Sequence, residues 1–201
     1  ATKTITSGEG GMITTENGDR AHRLRQMRLH GIDHAPEHGA PWQYQIASKG
    51  FKYNLSDILA ALGLSQLRRC DSMWRRRSAI ANTYDKSFRD ISAIAVPART
   101  THAEPSWHLY TLRLTHDQLA ISRDEFIQQL ATAQIGTSVH YRPLHQHPKY
   151  AQNSRYSSAH FPHADQAFQD ILSLPIYSAM TDQDVADVVD AVISTVRQHT
   201  R

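Results

Sequence analysis

A lysine stands beside a glycine-rich stretch at the start of this sequence, where Lys3 is followed by "TITSGEGG", residues 4–11. A lysine amine attacks carbonyl carbons when a pocket lowers its pKa from about 10.4. A glycine turn beside it would let the backbone pass close to a bulky cofactor. The stretch alone is weak evidence, because most lysines near a terminus are solvated. It also matches neither G-x-G-x-x-G nor G-K-[ST] of the phosphate-binding loops.

The histidines suggest metal chemistry at first. "HAPEH", residues 34–38, matches the H-x-x-E-H pattern of one class of zinc peptidases. That chemistry needs both histidines on one face of a regular helix. Pro36 lies between them and Gly31 and Gly39 flank them, so the pattern predicts a loop instead. For the group at His140, His145 and His147, the wall of a polar pocket is favoured over a metal site.

Composition limits the possible partners. The chain has 201 residues, a formal charge of +3 and a pI near 9.1, which suits an anionic small molecule without requiring nucleic acid. The arginine run 75–77 could be a nucleic-acid patch, but on an amphipathic helix a solvated face is favoured. The single cysteine, Cys70, and the lack of a long apolar run predict a cytoplasmic protein without a membrane partner.

Alternating strand and helix patterns predict an α/β or α+β fold. In the first part of the chain we expect a strand and a helix, then a long loop that Trp42 and Tyr44 pack down. Ser56 should cap a long helix that bends near Asp71. The predicted elements are a strand over 10–15, a helix over 19–30 closed by Gly31, a loop over 30–50 and a helix over 56–88.

The second part of the chain begins after a linker-like stretch, and we expect a domain boundary near residue 89. Ser122 and Glu125 match the capping box at a helix start. The predicted elements are a strand over 107–114, a helix over 123–133, a strand over 137–141 and a helix from the cap Thr181 to Arg197. The two domains would be residues 1–88 and 89–201.

Four separated stretches, in this order, resemble the sugar aminotransferases of the DegT/DnrJ/EryC1/StrS family. They are "ATKTITSGEGGMITT", "RLRQMRLHGI", "GFKYNLSDILAALGLSQL" and, together, "GTSVHYRPLHQHPKY" with "ILSLPIYSAMTDQDV". The resemblance implies an α/β protein of fold type I that binds pyridoxal phosphate (PLP). Because the lysine of A-T-K lies near the middle of such enzymes, this chain is expected to be the C-terminal half: the end of the large domain plus the small α+β C-terminal domain.

The resemblance also implies the chemistry. Lys3 would form the Schiff base with PLP, be displaced by glutamate as amino donor, and move a proton as general base and acid. The acceptor would be a keto group of a nucleotide-linked sugar, favoured as a UDP-linked 4-keto sugar of cell-surface polysaccharide biosynthesis. Lys52 and Asn54 would reach across a homodimer with a shared active site to the partner subunit's cofactor phosphate. As an alternative, Asn54 only caps the following helix.

Substrate contacts are expected from the C-terminal domain. By the resemblance, His140, Tyr141 and His145 would bind sugar hydroxyls or a diphosphate, and Arg142 a diphosphate or carboxylate. A histidine satisfied by the core and an exposed strand-end arginine are the alternatives for His140 and Arg142. For the whole chain, the alternatives are a catalytically inactive half that acts in dimerisation or binding, and a basic nucleic-acid-binding module.

Overall fold

The computed structural model of the chain describes residues 3–34, 40 and 42–201, with His34 described for its backbone only. These residues group into two compact units, Ile5–Arg69 and Cys70–Arg201, and the second unit also holds Lys3 and Thr4. None of the helices in the described residues is long and apolar enough to span a bilayer. The expected division of the whole fold at residues 88 and 89 remains a prediction.

The first unit contains two helices and a pair of short antiparallel strands. The second unit contains a three-stranded antiparallel sheet with helices packed against it. The helices are α1 (Gly18–Met27), α2 (Asp57–Leu67), α3 (Cys70–Phe88), α4 (Arg123–Thr132), α5 (Pro148–Ala151), α6 (Pro162–Asp170) and α7 (Asp182–His199). The strands are β1 (Ile32–His34), β2 (Tyr44–Ile46), β3 (Ile94–Ala95), β4 (Tyr110–Leu114) and β5 (Ile171–Leu174).

The sheet of the second unit has the order β3-β4-β5. Along β4, Tyr110, Leu112 and Leu114 are buried while Arg113 is exposed, which is the alternation of a strand with one face on the core. Pairing of Tyr110 with Leu174 sets the register between β4 and β5. The residues just before β4 and just after β5 therefore lie at the same end of the sheet.

Helices α3, α4 and α7 supply the apolar faces that cover this sheet. In α7 the valines recur at helical spacing on the buried side. Capping boxes start both α4, at Ser122 with Glu125, and α7, at Thr181 with Asp184. The largest fully buried side chains of the core are Ile80, Tyr84, Phe88, Tyr110, Leu112, Leu119, Phe126, Leu130, Leu172 and Val192.

Several predicted boundaries shift by a few residues. The predicted helix over 56–88 is two helices, because α2 ends at Leu67 and α3 begins at Cys70. The predicted strand over 107–114 begins only at Tyr110, since Trp107 has a positive φ of 51° that a strand residue does not adopt. The strand predicted over 137–141 is wrong: there only Ser138 forms a bridge, with Ser173 of β5.

In the first unit the strand predicted over 10–15 is absent, and the predicted loop over 30–50 contains β1 and β2 instead. The predicted helix over 19–30 ends at Met27. Gly31 makes the turn into β1, with φ at +72°. A Cβ there would lie 1.7 Å from the Ser48 carbonyl oxygen, so only glycine fits.

The expectation that Trp42 and Tyr44 pack this segment down is wrong within the described residues. Trp42 is 78% exposed and Tyr44 is 56% exposed. Helix α2 likewise leaves Ile58 82% exposed, although Ser56 caps it as predicted, with its hydroxyl accepting a hydrogen bond from the Leu59 amide. Large apolar side chains of the first unit are therefore exposed to solvent.

Candidate functional site

Lys3 belongs to the second unit and its side chain is exposed. It makes no hydrogen bond or ion pair with any other residue that the structure describes. Its neighbour Thr4 donates a hydrogen bond from its hydroxyl to the Ser106 carbonyl oxygen, at 3.4 Å. The lysine segment is therefore held against the stretch that leads into β4.

His108 lies in that stretch, one residue beyond Trp107, and is partly buried. Its pKa is lowered from 6.5, first by burial and then by the positive charges of Lys3, Arg77 and His140. The hydrogen bonds of Thr4 to Ser106 and of Arg77 to Trp107 hold Lys3 and Arg77 on the same stretch of chain as His108. We call Lys3, Arg77, His108 and His140 the basic cluster. His108 was not among the residues predicted to act at the site. The signal that the sequence carried was its place near the start of the strand predicted over 107–114.

Arg77 is the buried member of the basic cluster, at 7% exposure. One guanidinium nitrogen, Nη1, donates to the Trp107 carbonyl at 3.0 Å and to the Ile176 carbonyl at 2.7 Å. These contacts join the chain before β4 to the chain after β5. Burial also lowers the pKa of the guanidinium. The prediction of a solvated arginine face over 75–77 is thus wrong for Arg77, because α3 turns this position into the core.

His140 lies beside β5. Its Nδ1 is 2.9 Å from the Ser173 hydroxyl, and its ring meets the Tyr141 ring edge-on, with the centroids 4.7 Å apart. Tyr141 itself is 68% exposed. Arg142 is also exposed and donates to the Gln146 carbonyl at 2.9 Å. Of His140, Tyr141 and Arg142, His140 belongs to the basic cluster, because its positive charge, like that of Lys3, lowers the pKa of His108.

His145 is buried and already has partners. Its Nε2 is 2.6 Å from Asp165 Oδ1, and its ring stacks on Phe161 with the centroids 5.0 Å apart. The Gln146 amide donates to the same Asp165 oxygen at 2.6 Å. The pKa of Asp165 is lowered, first by Gln146 and then by His145. This arrangement ties the segment after His140 to α6, and the predicted substrate contact of His145 remains a prediction.

Lys52 and Asn54 lie in the first unit, both exposed. The Lys52 ammonium donates to the Asn54 side-chain oxygen, so the two side chains are neighbours. Ser56, and not Asn54, caps α2, which excludes the capping alternative for Asn54. An ammonium beside an amide N–H suits a phosphate group. That role remains a prediction.

The metal pattern over residues 34–38 falls largely outside the described residues, which place only the backbone of His34 at the end of β1. Within the described part of the chain, no group of three or more histidine, cysteine or acidic side chains is arranged to hold a metal ion.

Comparison with known proteins gives a family match over nearly the whole chain. The model of the DegT/DnrJ/EryC1/StrS aminotransferase family matches residues 1–193. The spore coat polysaccharide biosynthesis protein SpsC of Bacillus subtilis is 40% identical over 98% of the chain and 52% of its own length.

Solved structures agree with the family match. The sugar aminotransferase CalS13 of Micromonospora echinospora superposes with a TM-score of 0.77 and 30% identity, over 95% of this chain and 49% of its own. The PLP form of Spr1654 from Streptococcus pneumoniae gives 0.79 and 30%, over 98% and 50%. The chain therefore spans about half the length of the relatives it matches. The match also confirms the predicted fold class, and the family implies PLP as cofactor.

Proposed function

Because this chain belongs to the DegT/DnrJ/EryC1/StrS aminotransferase family, we propose that it supplies the reactive lysine of a PLP-dependent sugar aminotransferase. The reaction moves an amino group from glutamate to a keto group of a nucleotide-linked sugar. The observation that carries this proposal is the Lys3 amine, exposed and without a hydrogen-bonding partner among the described residues, next to the basic cluster.

The residues present fit the cofactor. An aldehyde needs an amine that is not engaged elsewhere, which Lys3 provides. A phosphate needs N–H donors and positive charge, which Lys52 and Asn54 provide side by side. In the proposed homodimer these two residues serve the partner subunit's cofactor, so that each active site is shared between two copies.

PLP, when bound, withdraws electrons from the carbon atom that carries the amino group. Lys3 would hold the cofactor through its amine. Once released, the same amine would act as the general base that takes the proton from the α-carbon of the amino donor, and then as the general acid that gives this proton back to the bound intermediate. His140 and Tyr141 would orient the sugar through hydrogen bonds. The Arg142 guanidinium, which is exposed, would bind a diphosphate or a carboxylate.

The choice of nucleotide and keto sugar in the proposed amino acceptor rests on similarity to relatives. We favour a UDP-linked 4-keto sugar, because the "KYNLSD" stretch and the long loop before it resemble the branch of the family that acts on such sugars. The likeness to the spore coat polysaccharide biosynthesis protein SpsC supports a role in polysaccharide biosynthesis, which we expect in the cytoplasm. To test this choice, the chain is incubated with glutamate and either a UDP-linked or a dTDP-linked 4-keto sugar. The release of 2-oxoglutarate is then measured. Release with the dTDP sugar alone would contradict it.

The first experiment treats the purified 201-residue chain with PLP, fixes any adduct with borohydride and maps the labelled peptides by mass spectrometry. We expect label on Lys3, and loss of that label in Lys3→Ala. Lys149→Ala removes another exposed lysine of the same unit and serves as the control. Equal labelling of Lys3 and Lys149 would refute a specific site.

A second candidate function is a binding module without catalysis. The large exposed apolar side chains of the first unit favour it, since such faces mark interaction surfaces. They include Met12, Ile13, Trp42, Ile46, Tyr53 and Ile58. Self-association of the chain, measured by sedimentation, without specific labelling of Lys3 would support this function over the first.

A further inference from the structure

We propose that the basic cluster is an anion site, and that it binds a carboxylate group of the amino donor. Lys3, Arg77, His108 and His140 form it at the end of the sheet where β4 begins and β5 ends. The identity of the donor rests on the proposed function. The existence of an anion site rests on the buried Arg77 guanidinium, whose Nε has no hydrogen-bond partner among the described residues, and on the hydrogen bonds that hold the neighbouring segments.

The main support for an anion site is the buried charge of Arg77, which is unpaired within the described part of the chain. This residue is 7% exposed, and no carboxylate partners it among the residues that the structure describes. Its Nε is buried without a hydrogen-bond partner in that part of the chain. Buried charges in proteins are normally paired, because removing an ion from water is costly. A guanidinium that has only carbonyl partners leaves a positive charge that an anion can balance.

Other arginines of the same unit show the contrast. Arg76, the preceding residue on α3, pairs with Asp182 at 2.7 Å. The buried Arg123 pairs with Asp124 at 2.6 Å. The buried carboxylate on α3, Asp85, is already bound by Arg99 and Tyr110. Arg77 is therefore an exception in a unit that otherwise pairs its inward-facing arginines.

Three chain segments bring the other members of the cluster to the same place. Thr4 binds the Ser106 carbonyl and so brings Lys3 to the entry of β4. Arg77 fixes the next carbonyl, that of Trp107, immediately before His108. His140 reaches Ser173 of β5, the neighbour of β4. The effect of Lys3, Arg77 and His140 on the pKa of His108 agrees with this convergence.

The position of Lys3 selects the anion. In an α-amino acid the carboxylate is attached to the carbon that bears the amine. When the amine of the donor takes over from the lysine amine, its carboxylate must lie beside that lysine. His108 and His140 are partly exposed and offer ring N–H groups there, while Arg77 adds its charge from below the surface.

The test titrates the 201-residue chain, without PLP, with glutarate, a dicarboxylate that has neither amine nor keto group. Imidazole signals of His108 and His140 are followed by NMR. We expect saturable shifts and a rise in the pKa of His108 on binding. His108→Gln should weaken binding at least tenfold, as read from the His140 signal, and Lys3→Ala should weaken it severalfold. His102→Gln, at an exposed histidine before the cluster, should leave binding unchanged.

The outcomes separate the inference from the proposed function. Absence of saturable shifts, or equal weakening by His102→Gln and His108→Gln, would overturn the anion site. Tighter binding of inorganic phosphate than of glutarate would overturn the assignment to the donor carboxylate. Glutarate binding without PLP labelling of Lys3 would support the anion site and refute the proposed function. Dispersed core signals in each variant verify that it is folded.

Discussion

Replacing Asp85 should destabilise the second unit and loosen the stretch that carries His108. Asp85 is 8% exposed, and its two oxygens accept from different partners. Tyr110, fully buried, donates its hydroxyl to Oδ1 at 2.7 Å. Arg99 donates to Oδ2 from Nε at 2.9 Å. The guanidinium of Arg99 also lies 4.3 Å from the centre of the Trp107 ring, so the network reaches the residue before His108.

The size of the effect follows from what each partner loses. In Asp85→Ala the Tyr110 hydroxyl is left buried without an acceptor, which costs about 1–3 kcal/mol. Arg99 loses less, because its side chain is 40% exposed and keeps Asn82 at 2.9 Å, so about 0–1 kcal/mol applies. The sum is about 1–4 kcal/mol. Asp85→Asn keeps one acceptor for Tyr110 and should cost less than Asp85→Ala.

Urea unfolding followed by circular dichroism and by tryptophan fluorescence measures this loss. Asp90→Ala, at an exposed position just after the same helix, is the matched control and should change the free energy of unfolding little. In a double-mutant cycle with Tyr110→Phe, the Asp85 substitution should cost less than in the parent chain. If Asp85→Ala and Asp90→Ala have the same unfolding midpoint, the network does not stabilise the fold and the reasoning is wrong.

Three further predictions concern turns and caps. Gly31→Ala should unfold the β1–β2 region, since its Cβ would meet the Ser48 carbonyl, while Gly18→Ala, with open space around it, should not; amide hydrogen exchange distinguishes them. Ser122→Ala should lower the free energy of unfolding by about 1 kcal/mol in urea melts, and no change would refute the capping box. Hydrogen bonds from Ser122 lower the pKa of Glu125 below 4.5. Its stabilising effect is therefore full above pH 4.5 and lost as pH falls through the folded-state pKa, a slope that Glu125→Gln should remove.

Local signals made much of the second unit predictable. The capping box at Ser122 and the cap at Thr181 depend on residues three positions apart, and both are confirmed. Helix α7 could be predicted because its apolar residues recur at helical spacing. It extends from Asp182 to His199, two residues beyond the predicted end. Such features need no knowledge of distant chain segments.

Features set by distant segments could not be predicted in this way. The two strands of the first unit exist because they pair with each other across the segment 35–43, while neither has a strong pattern of its own. The stretch over 10–15 has the composition of a strand but no partner strand among the described residues, and so remains irregular. Strand formation depends on pairing, which composition does not contain.

The residues of the candidate site also fall into those that the sequence predicted and those that it did not. Lys3, Lys52, Asn54 and the residues from His140 to His145 followed from the family resemblance. Arg77 and His108 did not, because the signal that matters is burial. An arginine in a run of three is usually solvated, and only the packing of α3 onto the sheet turns Arg77 inward.

Trp107 connects the buried charges of α3 with the proposed anion site. Its carbonyl is held by Arg77 from α3, and its ring lies under Arg99, which Asp85 of the same helix holds in turn. The residue is thus fixed at both its backbone and its side chain, in a positive-φ conformation that would otherwise be costly. His108 follows Trp107 directly in the chain. The fixed backbone of Trp107 therefore limits where the imidazole ring of His108 can lie relative to Lys3. The two buried charges on α3 therefore do more than stabilise the core: they determine the position of the side chain that we expect to meet the anion.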